Sequence, residues 1–447
     1  MRKITVGDKE LMLSPDQDRA VDAVLAALGK PRTEAVLAGA AGSGKTTVLN
    51  AVLKEAKGLH VLFLAPTGKA ALRVSEQTGE PCKTIHSAIY GTVDEDEESN
   101  ILKFGELRPP KGVSSATLVV VDEASMVDTS LADNLRKMVF SVGGRILWCG
   151  DHEQLAPVSG EWGCDLQNPT AKLTQVHRQA LDSPVLELAT LIRQGRGGTF
   201  TNWGDECQRL RNQTVAMAVD WAEERRENEE MLYSFAGDEE PPTRVMLTWT
   251  NRIRAQANRL TRERRGYAEG TVEVGETLVC LLNNHDLGVM NGTLIEVKTV
   301  RRHTRLSAIC QQDVLSINSK YWVIPGAFDV MDRDKSDTQI ARKAWAPLWA
   351  PSRPKWPGQE TASQLMARTG LTWGELRKLR DFTVRRMTVA TYGYCLTVHK
   401  SQGSQWQEVA FLSCPSFRRN KDTAFKKRLT YTAVTRASER FLAFVLE

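Results

Sequence analysis

The chain has 447 residues, a formal net charge of +5 and a sequence pI of about 8.7, which predicts two to four domains and permits a polyanionic partner without demanding one. Its apolar and charged fractions, 41% and 25%, are ordinary for a soluble globular protein, and no apolar run suggests a membrane span or a signal peptide. Eight scattered cysteines without a C-x-x-C pair argue against a disulfide framework or a zinc site and favour a reducing cytosol.

The first predicted elements are a helix and a buried strand. The helix is expected over residues 18–28, because Ser14 is a good N-cap and Pro15 is favoured at the first helical position. A short apolar strand over residues 35–38 follows, and a second helix is expected over residues 47–57. A glycine-rich turn separates that strand from that helix, which is the setting of a phosphate-binding loop.

This turn matches the P-loop pattern, in which glycines open and close the turn before a Lys-Thr pair: Gly39, Ala40, Ala41, Gly42, Ser43, Gly44, Lys45 and Thr46. Such a turn aims backbone N–H groups and the positive end of a helix at a phosphate. Lys45 is expected to hold the outer phosphates, and the Thr46 hydroxyl to help hold Mg²⁺. A chance glycine-rich turn is the alternative, and the flanking strand and helix argue against it.

Strands and helices continue to alternate, which predicts a parallel α/β sheet. Strands are expected over residues 60–65, 116–121 and 145–149, with a helix over residues 70–78. Because ligands bind at the carboxyl ends of such strands, the polar residues that follow each strand are candidates for a site.

Two adjacent acids and a glutamine follow the third and fourth strands. Asp122 and Glu123 end the third strand and form a Walker-B-like pair. Asp122 is expected to bind Mg²⁺, and Glu123 to orient and deprotonate the attacking water. An acidic N-cap for the next helix is the alternative role of this pair. Gln154 follows the fourth strand, where a polar side chain could sense a γ-phosphate.

A second α/β unit begins near residue 183 and resumes after a long insertion. We predict that residues 1–89 with 116–182 form the first domain, and residues 183–268 with 388–447 the second. A small excursion over residues 90–115 is predicted to be a hairpin inserted into the first domain.

The insertion in the second unit, residues 269–387, has β character followed by a helical extension. An Asn291-Gly292 turn between two apolar runs predicts a small antiparallel barrel over residues 275–330. The remainder has no motif that we can identify. It holds four tryptophans, which we expect to be packing anchors rather than a base-stacking platform: Trp345, Trp349, Trp356 and Trp373.

Two arginines lie where they could stabilise charge on a transferring phosphoryl group, Arg178 and Arg436. An arginine delivered by a moving domain raises the rate roughly 10³- to 10⁵-fold in known arginine fingers. A surface salt bridge is the alternative role for either residue.

In this order, the motifs resemble those of the superfamily 1 DNA helicases, most closely subclass B with its RecD-like and Dda-like phage enzymes, and the resemblance runs nearly end to end. Residues 13–17 look like the Q motif, in which Gln17 would read adenine. The other motifs match in chain order: Ia at residues 65–71, Ib at 84–86, II at 122–126, III at 150–158, IV at Arg178, V at 397–404 and VI at 429–437.

The resemblance implies two RecA-like motor domains with ATP and Mg²⁺ in the cleft between them, a pin at residues 90–115 and an SH3-like β-barrel inserted in the second motor. The residues implied in nucleotide binding are Gln17, Gly39, Ala40, Ala41, Gly42, Ser43, Gly44, Lys45, Thr46, Thr47, Asp122 and Gly403, with Thr46 and Asp122 holding the metal. The implied catalytic residues are Lys45, Glu123, Gln154, Arg178 and Arg436. Single-stranded DNA would cross both motors along Pro66, Thr67, Lys69, Thr84, His86, Asn251, Thr397, His399 and Ser401.

The implied activity is that of an ATP-dependent DNA helicase moving 5′ to 3′ on single-stranded DNA and opening junctions with duplex DNA. The resemblance also implies a monomer in the cytoplasm of a bacterial or phage-infected cell, with a single-strand-binding, replication or recombination protein as a partner. Three alternatives stay open: a translocase that strips proteins without unwinding, a P-loop kinase of small molecules, and a non-catalytic DNA-binding subunit. Gln405 stands where the family usually has glutamate, which weakens one expected nucleotide contact.

Overall fold

The structure, a computed structural model, shows two parallel α/β sheets and a smaller antiparallel β part. It describes residues 2–6, 9–90, 107–157, 160–175, 183–196, 218–220, 243–281, 284, 287, 289, 292–311, 313–324 and 360–445. Among the helices in these ranges, none combines the length and the apolar character that crossing a membrane requires.

The first domain is built on six parallel strands, preceded by an antiparallel pair, β1 (Lys3–Val6) and β2 (Lys9–Met12). The six strands are β3 (Glu34–Gly39), β4 (His60–Ala65), β5 (Cys82–Thr84), β6 (Thr117–Val121), β7 (Arg145–Gly150) and β8 (Ala171–Leu173). They lie in the order β5-β4-β6-β7-β3-β8. The four strands that the sequence predicts in this domain are therefore confirmed.

Helices cover both faces of this sheet: α1 (Pro15–Ala27), α2 (Lys45–Glu55), α3 (Gly68–Thr78), α4 (Ile85–Ile89) and α5 (Thr129–Ser141). Successive side chains of a strand point to opposite faces, so one apolar strand serves two cores. Leu118 and Val120 pack with α1 and α2, whereas Val119 and Val121 pack with α4 and α5.

The second domain also has a parallel sheet, made of five strands: β9 (Ala218–Asp220), β10 (Arg244–Thr248), β17 (Cys395–Thr397), β18 (Trp406–Ser413) and β19 (Ala437–Val445). Their order is β17-β10-β18-β19-β9. The helices of this domain are α6 (Pro184–Arg193), α7 (Asn251–Arg264), α11 (Val398–Ser401), α12 (Pro415–Arg418) and α13 (Thr423–Val434). Two parallel α/β domains are thus present, as the sequence predicts.

The smaller part contains two three-stranded antiparallel sheets. One holds β11 (Thr277–Cys280), β12 (Leu294–Glu296) and β16 (Ala390–Tyr392), and the other holds β13 (Val300–Arg302), β14 (Leu315–Ile317) and β15 (Tyr321–Val323). Three helices accompany them: α8 (Thr304–Cys310), α9 (Ala362–Thr369) and α10 (Trp373–Arg386). Residues 325–359 of this part lie outside the described residues.

A single small barrel is predicted for the smaller part, over residues 275–330. The described residues there form strands of two antiparallel sheets that share one buried core, which includes Leu278 and Ile317, so the barrel stays a prediction. Ala390–Tyr392 pairs with β11 before the chain returns to the second parallel sheet. Trp373 is expected to be a packing anchor, but it is 48% exposed at the start of α10. The other three tryptophans of that group lie outside the described residues, as does most of the predicted hairpin, of which an antiparallel bridge between Tyr90 and Leu107 is seen.

Candidate nucleotide and nucleic-acid site

The P-loop connects the end of β3 to the start of α2, as the sequence predicts. Gly42 and Gly44 have φ angles of 76° and 81°, a conformation that glycine adopts without the steric cost that a Cβ brings. The Lys45 Nζ donates to the carbonyl oxygens of Gly39 and Ala40 at 2.6 Å and 3.1 Å. The buried Ser43 Oγ has no hydrogen-bond partner in the described part of the chain. The loop thus gathers an ammonium, an unused hydroxyl and free helix amides in one turn, which suits a bound phosphate.

The paired acids lie at the carboxyl end of β6, next to β7 in the sheet. Burial and then the charge of Glu123 raise the pKa of Asp122 to about 6, although the charge of Lys45 acts in the opposite direction. Glu123 has a φ angle of 51°, in the left-handed region that few non-glycine residues adopt. Such backbone outliers concentrate at functional sites. The position of this pair fits a divalent cation, because added positive charge would relieve the repulsion between the two carboxylates.

The two parallel domains are joined by hydrogen bonds directly over the P-loop. The Tyr431 hydroxyl, from α13, donates to the Asp151 carboxylate at 2.8 Å and accepts from the Ala41 backbone N–H at 2.9 Å. Burial and the neighbouring Asp151 charge raise the pKa of Tyr431 well above its usual value, so the hydroxyl keeps its proton. Beside it, the Leu155 backbone N–H donates to the Thr432 hydroxyl at 3.0 Å. Motif VI of the second domain therefore contacts both the P-loop and motif III.

A second contact between the domains lies at the start of α3. Gly403, with φ 73°, lies so close that an added Cβ would come within 3.1 Å of the Ala70 Cβ. The Arg73 guanidinium donates to the Gln405 Oε1 at 3.2 Å, so the departure from the family pattern gives a neutral partner here. The Lys69 Nζ lies 4.6 Å from the centre of the Trp406 ring. The predicted DNA contact Lys69 is thus half-buried at the domain boundary, where burial and then Arg436 lower its pKa to about 8.

Arg436 is 3% exposed and faces the same boundary. Its guanidinium donates to the Ser404 and Thr432 carbonyl oxygens at 3.1 Å and 3.2 Å. Burial lowers the pKa of Arg436, and the charge of Glu123 is the main opposing influence. The arginine is therefore held by its own domain within electrostatic reach of the predicted catalytic acid. Arg178 lies outside the described residues, and its role stays a prediction.

Two predicted glutamines are both buried, with different surroundings. Gln154 is 5% exposed, and its Oε1 has no partner among the described residues. Gln17 is 4% exposed, and its Oε1 accepts from the Ser14 backbone N–H at 3.0 Å in a capping box of α1. The box confirms Ser14 as the N-cap, although the helix begins at Pro15, before the expected range of residues 18–28. Adenine reading by Gln17 stays a prediction. Thr46 and Thr47 lie in the first turn of α2, with Thr46 exposed.

Three of the predicted DNA contacts share a structural role that sequence reasoning missed. Thr67, Thr84 and Thr397 each lie at the end of a strand or two residues after it, and accept a hydrogen bond from the first turn of the next helix, at 3.2 Å, 3.2 Å and 3.4 Å. Thr250, which was not predicted, caps α7 in the same way at 3.3 Å, beside the exposed Asn251. A threonine at the end of a strand, or two residues after it, is the signal that could have revealed all four. These caps direct helix amides, with Pro66 close by, toward the carboxyl edges of both sheets.

Three other predicted DNA contacts have less access to a nucleic acid. Ser401 is fully buried and its hydroxyl donates to the Val398 carbonyl at 2.8 Å, so the structure gives this side chain a structural role. His86 stacks on Tyr90 with ring centres 5.7 Å apart, and His399 stacks on Phe425 at 6.5 Å. Burial lowers the pKa of both histidines, so both rings are neutral near pH 7 and are not cationic contacts for phosphate.

Comparison with known proteins finds two family models and several relatives that match this chain. The profile described as an AAA domain matches residues 12–215, and the one described as a UvrD-like helicase C-terminal domain matches residues 392–442. The ATP-dependent RecD2 DNA helicase of Deinococcus radiodurans is 28% identical over 430 residues, which cover 91% of this chain and 46% of that protein. The ATP-dependent DNA helicase dda of phage T4 is 25% identical over 200 residues, covering 41% of this chain and 43% of the relative. This chain is thus similar in sequence to RecD-like and Dda-like DNA helicases.

This chain spans less than half the length of the two curated relatives just named. The ATP-dependent DNA helicase PIF1 of Saccharomyces cerevisiae is 34% identical over 198 residues, covering 38% of this chain and 22% of that protein. Among solved structures, Bacteroides Pif1 bound to single-stranded DNA is similar over 97% of this chain and 92% of its own, with 14% identity and a TM-score of 0.48.

Proposed function

We propose that this chain hydrolyses ATP with Mg²⁺ in the cleft between its two parallel domains, moves 5′ to 3′ on single-stranded DNA and unwinds duplex DNA. The observation that carries the proposal is the Tyr431 hydroxyl, which bonds to the P-loop and to Asp151 across the domain boundary. A small-molecule kinase has no need of a second α/β domain bonded to its phosphate loop. The names of the relatives, all ATP-dependent DNA helicases, support the same activity.

The residues of the first domain have separate roles in this proposal. Lys45 and the loop amides bind the phosphates, and Thr46 and Asp122 hold the metal ion, which would neutralise charge on the phosphates when bound. Glu123 accepts a proton from the attacking water. The raised pKa of Asp122, caused by burial and by Glu123, supports a cation site at this pair.

The second domain completes the site when the cleft closes. We propose that Arg436 stabilises charge on the transferring phosphoryl group. We also propose that Gln154 contacts the γ-phosphate and couples its binding to the position of the second domain. The partnerless Oε1 of Gln154 and the charge interaction of Arg436 with Glu123 support these roles. Arg178 is a second candidate for charge stabilisation, on the family resemblance alone.

The predicted division of the chain also belongs to this proposal. Residues 90–115 would be the pin that separates strands, and residues 269–387 an SH3-like insertion with a helical extension. The protein would act as a monomer at junctions of single-stranded and duplex DNA, with a single-strand-binding or replication protein as a candidate partner.

An unwinding assay tests the proposal with duplexes that carry either a 5′ or a 3′ single-stranded tail. We expect ATP-dependent unwinding of the 5′-tailed duplex alone, and none by Lys45→Ala. DNA-stimulated hydrolysis without unwinding of either substrate would favour a protein-stripping translocase. Hydrolysis indifferent to single-stranded DNA would overturn the motor proposal. Deleting residues 94–104 should remove unwinding and spare DNA-stimulated hydrolysis, and unwinding that survives this deletion would reject the pin.

A further inference from the structure

Two helices of the smaller part form a helix-turn-helix. Helix α9 (Ala362–Thr369) and helix α10 (Trp373–Arg386) are separated by three residues. Gly370 ends the first helix with a φ angle of 71°, and its N–H donates to the Met366 carbonyl at 2.9 Å. Thr372 starts the second in a capping box with Glu375, through bonds of 3.3 Å and 2.9 Å. Both boundaries of the turn are therefore specified by local sequence.

The inner faces of the two helices pack into one core. Leu365 and Leu376 are buried against Leu306 of α8 and Trp322 of β15. Leu371, in the turn, is partly buried against the same cluster. The apolar residues of both helices and of the turn thus fix α9 and α10 against α8, as a three-helix unit requires.

The outer face of α10 is exposed and basic. Trp373 is 48% exposed in the first turn, and Arg377 and Lys378 are exposed one turn further on. Arg305 of α8 is exposed too. It lies near the start of α10, since its charge and that of Lys378 help the hydrogen bonds from Thr372 to lower the pKa of Glu375. The start of α10 thus presents an aromatic ring and several cations to solvent.

We propose that this helix-turn-helix binds double-stranded DNA, with the first turns of α10 in the major groove. Helices that follow such a three-residue turn read the major groove with their N-terminal residues in known DNA-binding proteins. The groove is about 12 Å wide and admits one helix. The charges of Arg305, Arg377 and Lys378 complement the phosphates that border it. The site goes beyond the proposed function, because it grips duplex rather than single-stranded DNA and requires no ATP.

Fluorescence anisotropy on the full chain without ATP tests this site, using a blunt duplex of about 20 base pairs, two turns of DNA. The Arg377→Ala/Lys378→Ala variant should bind the duplex about tenfold more weakly, with a salt dependence reduced by about two counterions. The matched control is Lys54→Ala/Lys57→Ala, which removes two exposed lysines from the first domain and should leave duplex binding unchanged.

Single-stranded DNA of the same length separates this proposal from general charge attraction. Its affinity, and the hydrolysis that it stimulates, should be the same in the Arg377→Ala/Lys378→Ala variant as in the wild type. Three results would overturn the proposal: no binding of blunt duplex by the wild type, unchanged duplex affinity in the variant, or equal losses on duplex and single strand. If the wild type does not hydrolyse ATP in response to single-stranded DNA, only the motor proposal fails, because duplex binding is measured without ATP.

Discussion

The hydroxyl of Tyr431 bonds to a P-loop amide on one side and to a carboxylate on the other. Tyr431→Phe leaves Ala41 and Asp151 without this partner, and such a loss costs about 1–3 kcal/mol when the groups are buried. Because the bonds join the domains and Phe keeps the ring, we expect DNA-stimulated turnover to fall about tenfold while the KM for ATP changes less than about twofold. Steady-state kinetics on a single-stranded oligonucleotide gives both values.

Tyr394→Phe is the matched control for that variant. In the wild type, the Tyr394 hydroxyl is also buried and also donates to a carboxylate, that of Glu276 at 3.0 Å, away from the P-loop. This control should lower the melting temperature and leave turnover per folded molecule unchanged. Equal losses of turnover in both variants would mean that Tyr431 acts through general stability and not through the domain boundary.

Lys69 makes the stability of the protein depend on pH in a definite direction. Burial lowers its pKa from 10.5 to about 8, so the native state releases this proton before the unfolded chain does. Between these two values the unfolded state binds more protons, and native stability therefore rises with pH. The melting temperature of the wild type minus that of Lys69→Met should increase from about pH 7.5 to about pH 9.5. A flat difference would show that Lys69 titrates normally, and a decreasing one that its pKa is raised; either result contradicts the prediction.

At the scale of elements, a buried ion pair attaches α7 of the second domain to the residue that precedes β11 of the smaller part. The Arg262 Nε donates to the Glu276 Oε1 at 2.7 Å, with the two side chains 4% and 0% exposed. Glu276→Gln leaves a buried guanidinium without its countercharge, which costs about 3–5 kcal/mol. We expect this variant to unfold at a lower urea concentration than the wild type, as measured by the midpoint of urea denaturation.

The surface pair Arg302 and Asp313, 2.7 Å apart and more than half exposed, provides the comparison for this ion pair. Asp313→Asn should change the unfolding free energy by less than about 1 kcal/mol, because water screens such pairs. If Glu276→Gln costs no more than Asp313→Asn, the buried pair does not hold these elements together.

The elements differ in how far sequence reasoning could predict them. Strands β3, β4, β6 and β7 are continuous apolar runs, and such a run predicts a buried parallel strand without further evidence. Helix α13 went unpredicted because two of its buried residues, Thr430 and Thr432, are polar and interrupt the apolar pattern of a helix. Thr432 accepts a hydrogen bond from Leu155 of the first domain. The burial of Lys69 and Ser401 was missed for a related reason, since it depends on how two domains meet.

At the scale of the whole molecule, the first parallel sheet is complete before the second begins. Its last strand ends at Leu173, and its two cores are formed by residues 4–173 of the chain. A fragment of residues 1–175 should therefore fold alone and bind ATP, with no hydrolysis stimulated by DNA, because Tyr431 and Arg436 are missing. Isothermal titration and an ATPase assay measure the two properties, with Lys45→Ala in the fragment as the binding control. Full DNA-stimulated turnover by this fragment would show that the second domain is dispensable.

The connection between β16 and β17 has a mechanical consequence. Only Gly393 and Tyr394 separate these strands, one in the small antiparallel sheet and one in the large parallel sheet, and the Gly393 N–H donates to the Thr277 carbonyl at 2.7 Å. Because the link has two residues and one of them is hydrogen-bonded to the antiparallel sheet, we expect β16 and β17 to rotate together. Any turning of the second domain would therefore reach the antiparallel sheet as torque.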